Sequence, residues 1–283
     1  MEKVLLLQGP LVSTGTSELV SCLFLADREA RSTEHWNHTF NCDETIRSMV
    51  YAFRARGFRI VYSAWDDDAA WFDEHAHLFD QVVLSDQSQL RTETMWNGSM
   101  IGNRKEKMYY AALRGLQAVE ELFGADALVF RLRSDVAVDP RHVLADMARL
   151  VGRPGLVLTE YFNSTKPMKM PDFMQLAQAR VLRAIYAHMY HLSSIDNSYH
   201  VSSHIDHSIT FVQLMRQGVL DTIETMCRET FESAVWRGVP RYLAYAVPGF
   251  ADEFGFHCAC TPSPQMDVDA LLASMGWVPK SPH

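Results

Sequence analysis

The sequence predicts an α/β fold in which a mainly parallel sheet is flanked by helices, with a more helical C-terminal part. Short apolar runs alternate with amphipathic helical patterns through the first half of the chain, and the connections between them are short. Strand–helix–strand alternation of this kind is typical of parallel sheets covered by helices. The chain has no internal repeat and no low-complexity linker, so we expect a single domain over residues 1–283, with halves at 1–165 and 166–283.

The first strand, the first helix and the second strand are recognised from their ends. Val4–Leu7 is an apolar run, and Asn41 and Glu44 have the spacing of a helix capping box. The apolar positions that follow have the i, i+3, i+4, i+7 spacing of one helix face: Ile46, Met49, Val50 and Phe53. Gly57 is a typical residue just beyond a helix, and residues 58–63 form the next apolar run.

The later elements follow from the same signals. Apolar runs predict strands at 82–84, 127–132 and 155–162. Apolar spacing predicts helices at 104–123, 140–150, 175–191 and 205–217. The helix at 140–150 has a clear start signal, because Asp139 before Pro140 is typical of an N-cap followed by proline at the first helical position. A polar loop over 193–204 separates the last two helices.

Composition excludes several classes of protein. Hydrophobic residues make up 48% of the 283 residues, which excludes intrinsic disorder. The net charge of −8 is unfavourable for general binding to nucleic acid, which needs a basic surface. Neither a signal peptide nor an apolar run long enough to span a membrane is recognisable. Five cysteines do not suggest a disulfide framework, and we expect a cytoplasmic protein.

Polar residues follow three of the predicted strands. Gln8 follows the first strand, Ser63 and Asp66 follow the second, and Asp135 follows the strand at 127–132. In mainly parallel sheets, ligands bind in the crevice outside the carboxyl ends of the strands. We therefore expect these side chains to converge on one binding site.

The most distinctive local feature is the run from Arg131 to Asp135 at the end of a buried strand. Strand alternation places Arg131, Arg133 and Asp135 on the same side. Guanidinium groups suit bidentate contacts with phosphate, and a carboxylate suits a divalent cation that bridges phosphate oxygens. The run predicts either a diphosphate and metal site or a plain Arg–Asp ion pair that ties down the strand edge.

Four segments in the same order resemble the WavE family of lipopolysaccharide-synthesis proteins, which is similar to GT-A glycosyltransferases. The segments are 6–11, 60–65, 103–116 and 130–135, and a weaker match lies at Pro171-Asp172-Phe173. The resemblance covers residues 4 to 175 and rests on the order and spacing of the motifs. The remaining third of the chain does not align by eye.

The resemblance implies a nucleotide-sugar donor bound across the carboxyl ends of the first strands by residues 1–165, with the acceptor side in 166–283. GT-A enzymes hold the donor diphosphate through a divalent metal on an Asp-x-Asp motif. Here the corresponding residues are Arg133, Ser134 and Asp135, with arginine in place of the first aspartate. Asp135 would ligate Mg²⁺ or Mn²⁺ while Arg133 contacts phosphate, or the arginines would bind the diphosphate without metal.

The implied donor-binding residues lie at strand ends and at the start of the long helix. They are Gln8, Gly9, Pro10, Ser63, Trp65, Asp66, Asn103, Lys107, Arg131, Arg133 and Ser134. Simpler roles stay open for three groups of them. Residues 8–10 are also typical of a tight turn, residues 66–68 of a helix cap, and the basic residues 104–107 of a solvated helix face.

An inverting transferase needs a general base to deprotonate the acceptor hydroxyl. Asp172 and Asp206 are the leading candidates for this catalytic role. Further candidates in the same half are His204, His207, Asp252, Glu253 and His257. Each of these residues is also compatible with a cap or a surface position.

The sequence as a whole predicts a glycosyltransferase that moves a sugar from a nucleotide-sugar donor to a surface polysaccharide or lipopolysaccharide. The acceptor would be a glycan or a lipid-linked glycan, and no nucleic acid would be bound. Peripheral association with a membrane stays open. The alternatives are a nucleotidyl or phosphoryl transferase on the same scaffold and a non-catalytic binding module of a glycan-assembly complex.

Overall fold

A computed structural model describes the fold over most of the chain. The described residues are 1–15, 38–88, 90, 93–96, 99–102, 104–159, 173–194, 203–236 and 239–240. The strands are β1 Lys3–Gln8, β2 Val12–Gly15, β3 His38–Asn41, β4 Arg59–Trp65, β5 Gln81–Ser85, β6 Glu93–Trp96, β7 Ser99–Gly102, β8 Leu128–Arg133, β9 Val136–Ala137, β10 Leu156–Thr159, β11 Met174–Gln178, β12 Thr222–Thr225, β13 Val235–Trp236 and β14 Val239–Pro240. The helices are α1 Asp43–Arg54, α2 Ala69–Glu74, α3 Arg104–Phe123, α4 Pro140–Leu150, α5 Ala179–Ser193, α6 Ser203–Arg216 and α7 Arg228–Glu232.

The central sheet has seven strands in the order β12-β10-β11-β8-β1-β4-β5. β11 runs antiparallel to both of its neighbours, and the other pairings are parallel. The predicted fold class, a mainly parallel sheet flanked by helices, is therefore confirmed. The chain proceeds from β1 through β4 to β5 in one direction and then places β8 on the opposite side of β1. The order of the strands thus reverses between β1 and β8.

Helices cover both faces of the sheet, and β1 shows how alternation divides its residues between them. Leu5 and Leu7 belong to an apolar cluster with α1 and α4. Val4 and Leu6 belong to a second cluster with α3, α5 and α6. β1 is therefore buried on both faces, as expected for a parallel strand between two helical layers.

Helix α3 lies unusually close to the sheet because of Gly115. A Cβ atom at this position would lie 2.7 Å from Cδ1 of Leu6 and 2.9 Å from Cβ of Ser63. Two side chains of the sheet also bond directly to the helix backbone: Nε2 of Gln8 donates to the Met108 carbonyl (2.6 Å), and the Ser63 hydroxyl donates to the Ala111 carbonyl (2.6 Å). The first turns of α3 are thereby held over the carboxyl ends of β1 and β4.

Two helix predictions agree closely with the structure. The long helix spans Arg104–Phe123 as expected, and α4 begins at Pro140 with the Asp139 carboxylate accepting from the Arg141 amide (2.8 Å). The capping-box prediction is wrong in detail. Asn41 Oδ1 accepts from the Asp43 amide (2.9 Å), whereas Cys42 is the N-cap of α1.

The predicted helix over 175–191 is wrong in its first part. Met174–Gln178 is strand β11, which pairs with β8 on one side and β10 on the other, and α5 begins only at Ala179. The hydrogen bonds to two neighbouring strands outweigh the weak local preference of this segment for a helix. The second half of the chain therefore contributes strands to the same sheet as the first half.

The predicted strand over 155–162 begins one residue later than expected. The strand expected over 155–162 is β10 Leu156–Thr159, and positions 160–162 lie outside the described residues. None of the described helices is both long enough and apolar enough to cross a membrane.

Candidate functional site

The predicted convergence of strand ends occurs at the reversal of strand order. Gln8, the last residue of β1, pairs in register with Ser63 of β4 and with Arg133 of β8. Open α/β sheets bind ligands in the crevice outside the strand ends at such a switch point. We refer to the space outside residues 8–11 and 133–135 as the switch-point crevice.

The turn after β1 is locked to the turn after β8. Gly9 has φ +134°, and its amide donates to the Ser63 carbonyl (3.2 Å). The Ser134 amide donates to the Gln8 carbonyl (2.9 Å), and the Ser134 hydroxyl donates to the Pro10 carbonyl (3.0 Å). A Cβ atom on Gly9 would lie 2.5 Å from Oγ of Ser134, so the close approach of the two turns requires glycine here.

Tyr62, which was not predicted as a site residue, is buried beneath this turn and supports it. The Tyr62 hydroxyl donates to the Gly9 carbonyl (3.0 Å), and its side chain is fully buried. Burial raises the pKa of Tyr62 well above its usual value, and a hydrogen bond with Ser134 opposes that effect. Tyr62 lies inside the segment 60–65, where its aromatic side chain is simply part of an apolar run.

Arg133 and Asp135 form the ion pair that the sequence left as one of two alternatives. Arg133 Nε lies 3.1 Å from Oδ1 of Asp135, and Nη2 lies 2.9 Å from Oδ2. The guanidinium also lies over the Phe173 ring, 4.7 Å from its centroid, and Ser13 Oγ donates to Oδ2 of Asp135 (3.1 Å). The Arg133 side chain is 25% exposed and the Asp135 side chain 2%. The carboxylate is therefore enclosed, while part of the guanidinium is accessible to solvent.

Arg131 differs from Arg133 although both belong to the same motif. Its side chain is fully buried, Nε donates to Oε1 of Gln8 (2.8 Å), and its guanidinium lies 5.2 Å from the Tyr186 ring centroid. Gln8 therefore joins Arg131 to the backbone of α3, because its side-chain amide oxygen accepts from Arg131 and the amide nitrogen donates to Met108. Of the two arginines, Arg133 is the one that is open to solvent.

The predicted site residues at the end of β4 and directly after it differ in their exposure to solvent. The Ser63 hydroxyl is fully buried against α3, and Trp65 is nearly buried with its ring stacked on Tyr110 at 6.5 Å. Asp66 is exposed at the start of the 3₁₀ turn Asp66–Asp68. Asp66 is thus the accessible carboxylate of this group.

The capping role considered for residues 66–68 is not what the structure shows. Asp68 is the N-cap residue of α2 but makes no capping hydrogen bond with its side chain. Its carboxylate accepts from the Leu11 amide (3.1 Å) and therefore supports the turn after β1. Burial raises the pKa of Asp68.

The basic start of α3 is also more than a solvated face. Lys107 donates to the side chain of Gln87, which in turn donates to Asp67, so a polar chain crosses the carboxyl ends of β4 and β5. Lys105 donates to Asp206 at 2.8 Å. Asn103 and the side chain of Arg104 lie outside the described part of the chain.

Asp206 is the one predicted catalytic residue that the structure describes. Its carboxylate is buried at the start of α6 and accepts from Nζ of Lys105 (2.8 Å) and from the Tyr109 hydroxyl (2.7 Å). Burial raises the pKa of Asp206, and the two donors oppose that effect. Tyr109 lies 6.4 Å from Tyr186, the residue under Arg131, so Asp206 and the buried arginine border the same aromatic cluster.

The structure describes less of the other candidates for the general base. His207 is buried among aromatic rings, including that of Phe211. Asp172, Asp252, Glu253 and His257 lie outside the described residues, as does the side chain of His204.

A divalent cation at Asp135 would need further ligands from neighbouring side chains. No group of three or more His, Cys, Asp or Glu side chains in the described ranges is arranged to hold a metal ion. Both oxygens of Asp135 accept from Arg133, and Oδ2 also accepts from Ser13. The described residues alone do not complete a site for Mg²⁺ or Mn²⁺, and the metal stays a prediction.

Several residues around the site were not predicted to take part in it. Phe173 and Tyr186 flank the two arginines, and Tyr109 and Lys105 hold Asp206. The two members of each pair lie 40 to 101 positions apart in the chain, so a local motif cannot reveal the contact.

Comparison with known proteins gives structural likeness but no family. No family model matches the chain, and no curated protein matches it, so the resemblance to WavE proteins is not supported. A nucleotidyl transferase from Methanothermobacter thermautotroptrophicus is similar with a TM-score of 0.41 and 13% identity, covering 88% of this chain and 99% of the other. The apo form of mouse xyloside xylosyltransferase 1 is similar with a TM-score of 0.38 and 10% identity, covering 80% and 85%. Function has to be inferred from the crevice itself.

Proposed function

We propose that this chain is a glycosyltransferase that transfers a sugar from a nucleotide-sugar donor to a polysaccharide or lipopolysaccharide acceptor. The observation that carries the proposal is the guanidinium of Arg133, whose side chain is 25% exposed to solvent beside the switch-point crevice. A nucleotide ligand is the expected occupant of such a crevice. An arginine that is oriented but still accessible is suited to its phosphates.

Arg133 is the residue that we expect to contact the donor diphosphate. A guanidinium has five N–H donors, and Asp135 engages one edge of the group through Nε and Nη2. In the proposed arrangement the solvent-accessible part of the guanidinium contacts the phosphate oxygens of the donor. Asp135 and Phe173 then act as positioning residues, because they hold the guanidinium plane before the donor arrives.

The turn after β1 completes the proposed donor site. Gly9 brings the backbone close to the crevice, and exposed Pro10 and Asp66 border it from the side of β4. In the proposed arrangement this side receives the base and ribose of the donor. Ser63, Trp65 and Arg131 support the site from within, because each of them is buried.

In the transfer step the acceptor hydroxyl attacks the anomeric carbon of the donor sugar. The new glycosidic C–O bond forms, the bond from the sugar to the diphosphate breaks, and a general base takes the hydroxyl proton. Asp206 is the described candidate for this base, because burial raises the pKa of its carboxyl and so makes the carboxylate a stronger base. Asp172 is the other proposed base. Arg133 stabilises the charge that develops on the leaving diphosphate.

A nucleotidyl or phosphoryl transferase is the second candidate. The switch-point crevice and Arg133 would also suit the phosphates of a nucleoside triphosphate. The two activities differ in their products, since a glycosyltransferase adds a sugar mass to its acceptor and a nucleotidyl transferase adds a phosphate-containing group.

The test is calorimetric titration with UDP-, GDP- and CMP-sugars and with nucleoside triphosphates, each with and without Mn²⁺. We expect binding of one nucleotide-sugar and loss of most of that affinity in Arg133→Gln. Arg141→Gln is the matched control, because Arg141 also pairs with an aspartate two positions away but lies exposed at α4. Absence of binding by every nucleotide-sugar would overturn the proposal, and mass analysis of products separates the two candidate activities.

A further inference from the structure

The two edges of the central sheet are built differently. At one edge β12 carries Glu224, whose carboxylate is held by Arg149 at 2.6 Å and also by Arg153. Charged side chains on edge strands prevent pairing with another chain. At the other edge the sequence of β5, Gln81–Ser85, contains no charged residue and no proline. The β5 edge therefore lacks the protection that the β12 edge has.

A shallow groove runs between β5 and α3 along this unprotected edge. Its lining includes Val82, Leu84, Ala118 and Leu122. Leu84 is 37% exposed and Leu122 is 53% exposed, which places both among the exposed large apolar side chains of the described residues. Apolar side chains beside an open strand edge are typical of an association surface.

The Gln81 side chain shows that the edge is reachable from solvent. Its Nε2 donates to the Val82 carbonyl at 2.7 Å, and Gln81 itself is exposed. Among the described strands, β5 pairs only with β4. A second strand could therefore replace the Gln81 side chain as the partner of this backbone.

The charges beside the groove are arranged to match a second copy of the same surface. Arg114 and Glu121 are both exposed, line the groove and lie seven residues apart on α3, which is about 10 Å along the helix. Nη1 of Arg114 donates to the neutral side chain of Gln117 (3.2 Å). When two α3 helices face each other in antiparallel orientation, each Arg114 meets the other copy's Glu121.

We propose that two copies of this chain associate through the β5–α3 groove about a two-fold axis. The two β5 strands pair antiparallel and join the two central sheets into one, while Leu84 and Leu122 of both copies become buried. A two-fold axis makes every contact twice, so the Arg114–Glu121 contact also occurs twice. This proposal is independent of the proposed function, because the switch-point crevice lies between β1 and β8 and not at this edge.

The antiparallel arrangement has a geometric consequence for the two crevices. The carboxyl ends of the parallel strands point in opposite directions in the two copies. Each switch-point crevice therefore opens at its own end of the joined sheet, and donor binding should not depend on association.

The test is sedimentation velocity over a roughly hundredfold range of protein concentration, since a dimer in equilibrium with monomer responds to concentration. The expected species has twice the mass of one chain. Arg114→Glu and Glu121→Arg each place like charges together, and we expect either to raise the dimer dissociation constant at least about tenfold. The combined exchange of both charges should restore the wild-type constant.

Two further variants complete the experiment. Leu84→Lys adds a charge to the open edge and should give monomer, while its circular dichroism and melting curve show that the chain is folded. Glu44→Arg makes the same charge change as Glu121→Arg on the exposed side of α1 and should remain dimeric. A wild-type chain that is monomeric throughout, a dimer that ignores the single charge changes, or a combined variant that stays monomeric would each overturn the proposal.

Discussion

Arg133 holds both carboxylate oxygens of Asp135, with Nε 3.1 Å from Oδ1 and Nη2 2.9 Å from Oδ2. Only the arginine reaches the surface of the crevice, since its side chain is 25% exposed and that of Asp135 is 2% exposed. The pair is therefore a structural contact that still presents a cationic group to a ligand. This relationship is the basis of the first prediction.

Replacing Arg133 by glutamine should weaken donor binding, and it should also lower stability because it takes the guanidinium away from the buried carboxylate of Asp135. A hydrogen bond to a charged group contributes about 1.5–3 kcal/mol, which corresponds to a loss of roughly 10- to 150-fold in affinity. Titration calorimetry with the nucleotide-sugar that binds wild type measures this change. Arg141→Gln should bind like wild type, and equal losses in the two variants would argue against a donor contact by Arg133.

Gly9→Ala should destabilise the protein through two separate effects. The backbone has φ +134°, and the new Cβ would lie 2.5 Å from Oγ of Ser134. Strain of this kind costs about 1–3 kcal/mol. Gly152→Ala is the control for backbone strain alone, because Gly152 has φ +77° and open space around it.

Denaturant unfolding of both glycine variants distinguishes the two effects. The free energy of unfolding should fall further in Gly9→Ala than in Gly152→Ala. Adding Ser134→Ala should recover part of the difference by removing the hydroxyl that the new Cβ meets. An identical loss in the two single variants would show that contact between the two turns is not tight.

Gly115→Ala should also reduce stability, for a packing reason. Its Cβ would lie 2.7 Å from Cδ1 of Leu6 and 2.9 Å from Cβ of Ser63, so α3 would have to move away from the sheet. Overpacking costs about 1–3 kcal/mol, whereas alanine gains only up to about 1 kcal/mol of helix propensity over glycine. Thermal unfolding of the variant should show a net loss, and a stabilised variant would contradict the close approach.

The pH profile of transfer should report Asp206 if it is the general base. A base must be deprotonated, so activity is lost as the pH falls through its pKa. Burial raises that pKa, while Lys105 and Tyr109 lower it. Lys105→Met removes the nearby positive charge, so the pKa rises further and the acidic limb of the rate profile should move to higher pH.

Steady-state rates measured across pH test this direction. Lys107→Met is the control, because Lys107 contacts Gln87 and not Asp206, and its profile should stay in place. Asp206→Asn should abolish the acidic limb together with most of the turnover. An acidic limb that does not move in Lys105→Met would favour Asp172 as the base.

Local pattern was sufficient where one element determines its own structure. The bounds of α3 followed from its apolar spacing, and the start of α4 followed from Asp139 and Pro140. The meeting of Gln8, Ser63 and Arg133 also followed from sequence, because parallel strands end at one edge. These features depend on the spacing of apolar residues, on helix-capping residues and on the direction in which the strands run.

The sequence pattern did not predict the structure correctly where contacts with residues far away in the chain determine it. Met174–Gln178 has a sequence compatible with a helix, and the hydrogen bonds to β8 and β10 make it a strand. Arg131 and Arg133 are equivalent in the motif, but contact with Gln8 and Tyr186 buries the first, while Phe173 and Asp135 leave part of the second open.

The sequence by itself determined the α/β class, the approximate positions of several central strands and helices, and the edge of the sheet where polar side chains collect. Only the tertiary structure decided which of those side chains are enclosed and which face the crevice. The physical reason is that burial and pairing depend on neighbours far away in the chain, as when Gln8 meets Arg131 across 123 positions and Lys105 meets Asp206 across 101.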